Sequence, residues 1–281
     1  MGGENIDGKV FAISGASSGL GRALAIGLAK HGAMLSLFAR DKNRLQNTAD
    51  ECAAITGGKT KPHIITGDIR HGQECQQWIT AAAAHFGHLD YLINNAGISM
   101  RKQVCDIADI ADFREVMDTG FWGAAQCAHC ALPHLRASFG MIVNISSVQG
   151  KTAIPQHSVY AASKHAIEGF FMSMAMEETN IRFLSVRPGW INGTRINQNR
   201  IGNNNKSGGG EDDNNGERLE NSGEGLEVEY CAQKIIKAIQ TRREVLTIPS
   251  RYRWLPLLAE LFPRTIRRKI QQKTKSRYAS S

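Results

Sequence analysis

Seven short apolar runs, each too short for a typical helix, recur along the chain with helix-length segments between them. They are 9–14 (KVFAIS), 34–39 (MLSLFA), 63–67 (HIITG), 89–94 (LDYLIN), 141–146 (MIVNIS), 181–186 (IRFLSV) and 244–249 (EVLTIP). Their apolar character is nearly continuous instead of alternating, so strands formed from them must be buried on both faces. Amphipathic segments such as GLGRALAIGLAKHG and SKHAIEGFFMSMAMEE follow them. Strand then helix, repeated, predicts parallel pairing with helices on both faces of the sheet. The 281 residues have room for one large domain of this kind. We therefore expect an α/β fold, a doubly wound parallel sheet of about seven strands, as a single domain over residues 1–250.

Two segments break the rhythm. Residues 197–225 (NQNRIGNNNKSGGGEDDNNGERLENSGEG) are dominated by Asn, Gly and charge and cannot bury enough apolar surface to order themselves, so their composition predicts a mobile insertion. Residues 251–281 carry nine Lys/Arg against one acid, Glu260, and so account for the whole net charge of +8. The basic balance describes this extension and not the domain before it. Within it Trp254, Leu255, Leu257, Leu258, Leu261 and Phe262 form a dense apolar cluster, and Pro256 and Pro263 forbid one unbroken helix. Three readings stand open: packing over a pocket or a neighbouring subunit, peripheral contact with a membrane surface, and nucleic-acid binding. The last is the weakest, because no recognised binding module accompanies the charge.

No apolar run approaches the roughly 18 residues of a spanning helix, and the start MGGENIDGKVFAISGASSG has neither a secretory nor a myristoylation pattern. The expectation is a cytoplasmic protein, peripheral at a membrane surface if the second reading of the extension holds. Its six cysteines are then reduced. The lone pair Cys127 and Cys130 reads as helix packing, and no metal site is expected.

Directly after the first apolar run comes SGASSGLGRALA, a glycine-rich strand-to-helix turn. Glycines there let backbone approach a pyrophosphate, whose charge then rests on the helix N-terminus. Further on, VYAASKHA places Tyr160 and Lys164 four residues apart, on one face of a helix. An ammonium group beside a phenol favours the phenolate. On this spacing alone, a proton-transfer pair and an ordinary amphipathic helix are both open.

Taken together, SGASSGLG, GDI at 67–69, NNAG at 94–97, NISS at 144–147, YAASK at 160–164 and RPGWI at 187–191 resemble the short-chain dehydrogenase/reductase family in both order and spacing. The resemblance covers residues 8–195 and resumes weakly at 226–250. It implies a Rossmann-type sheet and NAD(P)-dependent interconversion of a carbonyl and an alcohol. It also implies a catalytic set of Ser147, Tyr160 and Lys164, with Ser147 on the substrate oxygen, Tyr160 passing the proton, and Lys164 lowering the Tyr160 pKa while binding the nicotinamide ribose. Gly15, Ser17, Ser18, Gly19, Leu20 and Gly21 would hold the phosphates. Asp68 and Ile69 would meet the adenine, and Asn95, Ala96 and Gly97 would support the adenosine ribose. Pro188, Gly189 and Ile191 would cup the nicotinamide.

Where relatives place a ribose-binding carboxylate this chain has Ala39 followed by Arg40, which favours NADP(H) over NAD(H) because a guanidinium pairs with a 2′-phosphate. The alternative is that Asp41 takes the ribose. Relatives also carry an asparagine where this chain has Gly120, in VMDTGFWG, so a catalytically weak nucleotide-binding scaffold or redox sensor is the rival to an enzyme. The resemblance further implies a small-molecule carbonyl or alcohol substrate, apolar or lipid-like if the extension meets a membrane. It implies a homo-oligomer (dimer or tetramer) and a lid over the substrate, formed by 197–225. Thr194 stands one step beyond the position where relatives often carry a threonine.

Overall fold

The structure is a computed structural model and describes residues 3–107, 109–194, 196 and 225–278. The proposed lid 197–225 therefore lies outside the described residues, apart from Gly225.

Seven strands form one parallel sheet: β1 (Val10–Ser14), β2 (Met34–Ala39), β3 (His63–Thr66), β4 (Tyr91–Asn94), β5 (Met141–Ile145), β6 (Arg182–Pro188) and β7 (Val245–Ile248). Their order is β3-β2-β1-β4-β5-β6-β7. Each strand falls on one of the seven apolar runs. The central ones, β1, β4 and β5, are buried at every position, as continuous apolar character requires. The edge strand β3 is only partly covered.

Helices α1 (Gly19–Ala29), α2 (Lys42–Ile55), α3 (Gly72–Phe86), α4 (Ala111–Met117), α5 (Gly123–Ser138), α6 (Ser158–Glu177) and α7 (Val228–Gln240) surround the sheet. Successive β1 residues feed opposite cores. Phe11 and Ile13 pack with α1, α2 and α7 on one face, and Val10 and Ala12 with α3, α5 and α6 on the other. Helices α1 and α7 pack closely: a methyl added at Gly27 would come within 2.6 Å of Ile236 Cδ1. Cys127 and Cys130 lie in α5, the first fully buried in the core and the second partly so.

Strand order reverses between β1 and β4, so the loops leaving them diverge and open a crevice at the carboxyl ends of the strands. After β7 the chain turns into α8 (Leu255–Leu261) and α9 (Pro263–Tyr278). Pro256 fits the first turn of α8 and Pro263 opens α9, positions where a missing backbone N–H costs nothing.

Candidate active site

Ser147 leaves β5 in extended conformation and caps a short 3₁₀ turn, accepting a hydrogen bond from Gln149 N at 3.1 Å. Its hydroxyl donates to Pro188 O at 3.5 Å, which ties it to the end of β6. Tyr160 and Lys164 stand one turn apart on α6, and Ser147, Tyr160 and Lys164 are all buried. Lys164 Nζ donates to Ile145 O at 3.0 Å and lies 5.7 Å from the centre of the Tyr160 ring. The three sequence-proposed groups thus converge at the ends of β5, β6 and α6.

Burial dominates the electrostatics of both ionisable groups. It pushes the Tyr160 phenol up to about 12, against a hydrogen bond from Ser147 that favours the phenolate. It pulls the Lys164 ammonium down to about 8, opposed by the nearby Glu168 carboxylate. The sequence reading gave Lys164 the task of lowering Tyr160. Desolvation of the phenol is the larger influence here, and the opposing one comes from Ser147.

Glu168 lies one turn beyond Lys164 and is 5% exposed. Its carboxylate accepts from Arg187 Nε at 3.0 Å and Nη2 at 2.6 Å, and from Ser185 Oγ at 2.6 Å. Burial raises its pKa, but Arg187 and Ser185 outweigh that and hold the carboxyl below its usual range. A chain of alternating charge, Lys164–Glu168–Arg187, therefore runs from the site into the α6–β6 interface. Arg187 opens the RPGWI motif but was given no role there, and Glu168 lies outside every motif.

At the far end of the crevice the glycine turn is shaped by close backbone approach. Gly15 has φ +66, and a methyl on Gly21 would meet Gly15 O at 2.3 Å. Asn95 holds the turn: its Nδ2 donates to Ser14 O at 3.0 Å and Gly15 O at 3.2 Å. Beyond β2, Arg40 and Arg44 both line the crevice. Asp41 caps α2 by accepting from Arg44 N at 3.1 Å and pairs with Arg44 Nε at 3.2 Å. Asp68, expected at the adenine, is gripped by Arg70, with Nη2 at 2.6 Å, and stands 3.9 Å from Arg40. Burial opposes its ionisation, but Arg70 holds its carboxyl below the usual range. Arg44 and Arg70 escaped sequence reading because single cations in a turn or first helical turn carry no pattern.

One cavity of about 970 Å³ joins the two ends. Its wall contains Gly15, Ser17, Ser18, Gly19, Leu20, Arg40, Asp68, Ile69, Asn95, Ala96, Gly97, Pro188, Gly189 and Ile191, together with Ser147, Tyr160 and Lys164. Gly21 supports the turn from behind. Thr194 packs against the turn, its Cα 3.4 Å from where a Gly19 methyl would sit. The glycine cradle, a helix N-terminus with no acid in its first turn, and cations at the β2 end fit a dinucleotide. The rest of the wall includes Trp190, from the RPGWI motif, and Thr119, Ile154, His157, Tyr252 and Leu255, none of which the motifs marked. His157 and Tyr160 stack edge to face at 6.3 Å.

Gly120 lies in a π-helical turn, Asp118–Trp122, between α4 and α5. It is buried against Ser163, whose Oγ would be 3.0 Å from an added methyl. Such turns mark departures from regular helix at functional sites, and this one brings Thr119 into the cavity wall.

A sequence model described as short chain dehydrogenase matches residues 9–205. The chain is 36% identical over 195 residues to 11-beta-hydroxysteroid dehydrogenase-like 4A of Arabidopsis thaliana, covering 69% of this chain and 64% of that protein. It is 34% identical over 264 residues to 11-beta-hydroxysteroid dehydrogenase-like 3 of the same plant, covering 94% and 80%. The first match thus spans less than two thirds of its relative's length. A short chain dehydrogenase/reductase from Burkholderia phymatum, solved in complex with NAD, superposes with TM-score 0.80 at 24% identity over 94% of this chain and 96% of that one. The class is a Rossmann-type, single-domain α/β protein with a nucleotide-shaped crevice. The chain belongs to the short-chain dehydrogenase family.

Proposed function

We propose that the protein is an NADP(H)-dependent oxidoreductase interconverting a ketone or aldehyde with an alcohol. The observation that carries this reading is the convergence of Ser147, Tyr160 and Lys164 on one wall of a cavity whose other end is a glycine cradle flanked by Arg40 and Arg44. When bound, the nicotinamide supplies or accepts the hydride. Ser147 holds the substrate oxygen. Tyr160, kept protonated by burial, gives its proton to that oxygen during reduction, and the Lys164 cation stabilises the phenolate left behind. The buried wall excludes water and strengthens both interactions. Purified protein should bind NADPH and consume it with at least one member of a carbonyl panel. Binding neither NADPH nor NADH would sink the reading.

Arg40 and Arg44 are the proposed 2′-phosphate contacts. A charge-assisted hydrogen bond is worth about 1.5–3 kcal/mol, so Arg40→Ala with Arg44→Ala should weaken NADPH binding roughly 10²-fold or more. NADH binding should change little. Fluorescence titration with both cofactors checks this, and equal losses for the two would favour Asp41 as the ribose contact.

The lysine gives a pH signature. Its charge is present below about 8 and lost as pH rises through that value. The kcat/KM for NADPH, which reports the free enzyme, should be level below this pH and fall above it. A profile rising through pH 8 would remove the proposed role of the Lys164 cation.

The names of the Arabidopsis relatives, with Ile154, Trp190 and Leu255 in the cavity wall, support an apolar, lipid-like alcohol or ketone as substrate. A homo-oligomer is proposed on family analogy, and the exposed Trp122, Met172 and Met176 support it. Gly120 favours one second reading, a nucleotide-binding scaffold without turnover. Binding without turnover across a broad panel would support it. An asparagine installed at 120 is a poor rescue test, because Ser163 crowds the position.

A further inference from the structure

Five of the fourteen exposed large hydrophobic side chains in the described residues fall within nine positions, 254–262. Trp254, Leu257, Leu258, Leu261 and Phe262 recur at spacings of three and four, so they form one outward stripe across α8 and its ends. Each is at least 40% exposed. Single exposed apolar residues need no explanation, but a contiguous group bordered by charge marks an interaction surface.

The border is basic. Arg251, Arg253, Arg264, Arg267 and Arg268 are all exposed, and among the described residues none of them is ion-paired with a carboxylate. Arg253 stacks over Trp254 at 4.8 Å and Arg251 over Tyr252 at 5.2 Å, so aromatic and guanidinium groups alternate along the rim. Aromatic and cationic side chains beside an apolar face suit the headgroup level of a bilayer. No helix among the described residues is long and apolar enough to cross a membrane. The surface could therefore lie on a bilayer but not span it.

The same elements have a second face. Tyr252 and Leu255 line the cavity, as do Ile266, Ile270 and Thr274, which are spaced four apart along α9. Arg264 and Arg268, also four apart, lie nearly opposite Ile266 and Ile270 on the helix. One wall of the substrate chamber is thus the reverse side of the apolar and basic surface.

We infer that α8 and α9 form an interfacial platform that seats on an anionic lipid bilayer and passes apolar substrate from the lipid into the cavity between Tyr252, Leu255 and Ile266. The charge complementarity of an almost acid-free segment selects anionic headgroups, each nearby Lys or Arg contributing about 1 kcal/mol. Docking rests on the surface alone. The delivery of substrate also rests on the oxidoreductase reading above.

The test uses the full-length protein with vesicles of phosphatidylcholine alone and with rising proportions of phosphatidylserine. Sedimentation should increase with phosphatidylserine and decrease with salt. Leu257→Glu with Leu261→Glu, neither lining the cavity, should lower the partition coefficient roughly 100-fold or more, and Arg264→Glu with Arg268→Glu should weaken the dependence on phosphatidylserine. Turnover of a short water-soluble aldehyde should be unchanged in both variants, which also shows that they fold. Turnover of a long-chain ketone presented in vesicles should fall with the partitioning. No sedimentation at any composition and low salt would overturn docking whatever the enzyme does. Sedimentation indifferent to the leucines but competed off by duplex DNA would overturn it in favour of a polyanion site. If vesicles instead leave the protein unbound and the leucine variants change its oligomeric state, the stripe covers a second copy and the inference falls. Vesicle binding with no turnover of any carbonyl would leave docking standing and defeat the catalytic reading and the delivery step with it.

Discussion

Tyr160→Phe will bind NADPH nearly as well as the native protein and reduce carbonyl substrate roughly 10²–10⁴-fold more slowly, the range of a lost general acid. The ring stays where it is, because Phe fills the same buried volume beside His157 and over the Lys164 ammonium. Only the hydroxyl is removed. One neutral hydrogen bond is worth about 0.5–1.5 kcal/mol, so the NADPH dissociation constant should move by less than about tenfold. The defect must therefore appear in kcat. Stopped-flow measurement of NADPH oxidation in a single turnover separates the two, since it reports chemistry without product release. A variant that keeps full single-turnover rate would show that some other group delivers the proton, with His157 the nearest alternative on the same wall. A defect confined to NADPH affinity would make Tyr160 a cofactor contact and nothing more.

Much of this site could be read from the sequence, for reasons that differ from residue to residue. The strands announced themselves because a parallel strand buried on both faces cannot tolerate polar residues. All seven apolar runs became strands, with ends shifted by at most two residues. Ser147, Tyr160 and Lys164 were legible through motif spacing, and the sheet topology then brought two distant segments together. Arg44 and Arg70 were not, since an isolated cation has no period and acquires meaning only when Asp41 or Asp68 lands beside it. The π-helical turn at Asp118–Trp122 was also hidden: its residues continue a helical pattern, and the extra residue per turn shows only in backbone hydrogen bonding. In the tail, sequence exposed the apolar cluster and the charge but left open which face of α8 met the cavity. Leu255 faces inward and Leu257 outward, a distinction set by how the chain leaves β7.

Glu168 was hidden for a related reason, and it carries the second large effect. A carboxylate on a helix is ordinarily solvated, and only the pairing of β5 with β6 places Arg187 and Ser185 against it. Removing one partner of a buried ion pair leaves an uncompensated charge and costs about 3–5 kcal/mol. Glu168→Ala should therefore lower unfolding free energy by about that amount, toward the lower end because the Arg187 side chain is 21% exposed. Replacing both partners, Glu168→Met with Arg187→Met, should recover much of the loss, because no unpaired charge then remains. The pH dependence fixes the sign. Glu168 has a folded-state pKa below its ordinary value of 4.5, so its contribution is fully present above that value. It is lost as pH falls through the depressed folded value. The stability gap between native protein and Glu168→Gln should thus be constant near neutrality and close in acid, as urea titrations at several pH values would reveal. A gap that widens in acid would mean that Glu168 is protonated in the folded state, contrary to its bidentate contact with Arg187. The same variant also reports on the active site. Without the Glu168 carboxylate the Lys164 ammonium keeps its desolvation and loses the charge that opposes it. The high-pH limb of the kcat/KM profile for NADPH should therefore move below about 8. An unmoved limb, in a variant that still folds, would show that Glu168 braces the α6–β6 interface without tuning the lysine.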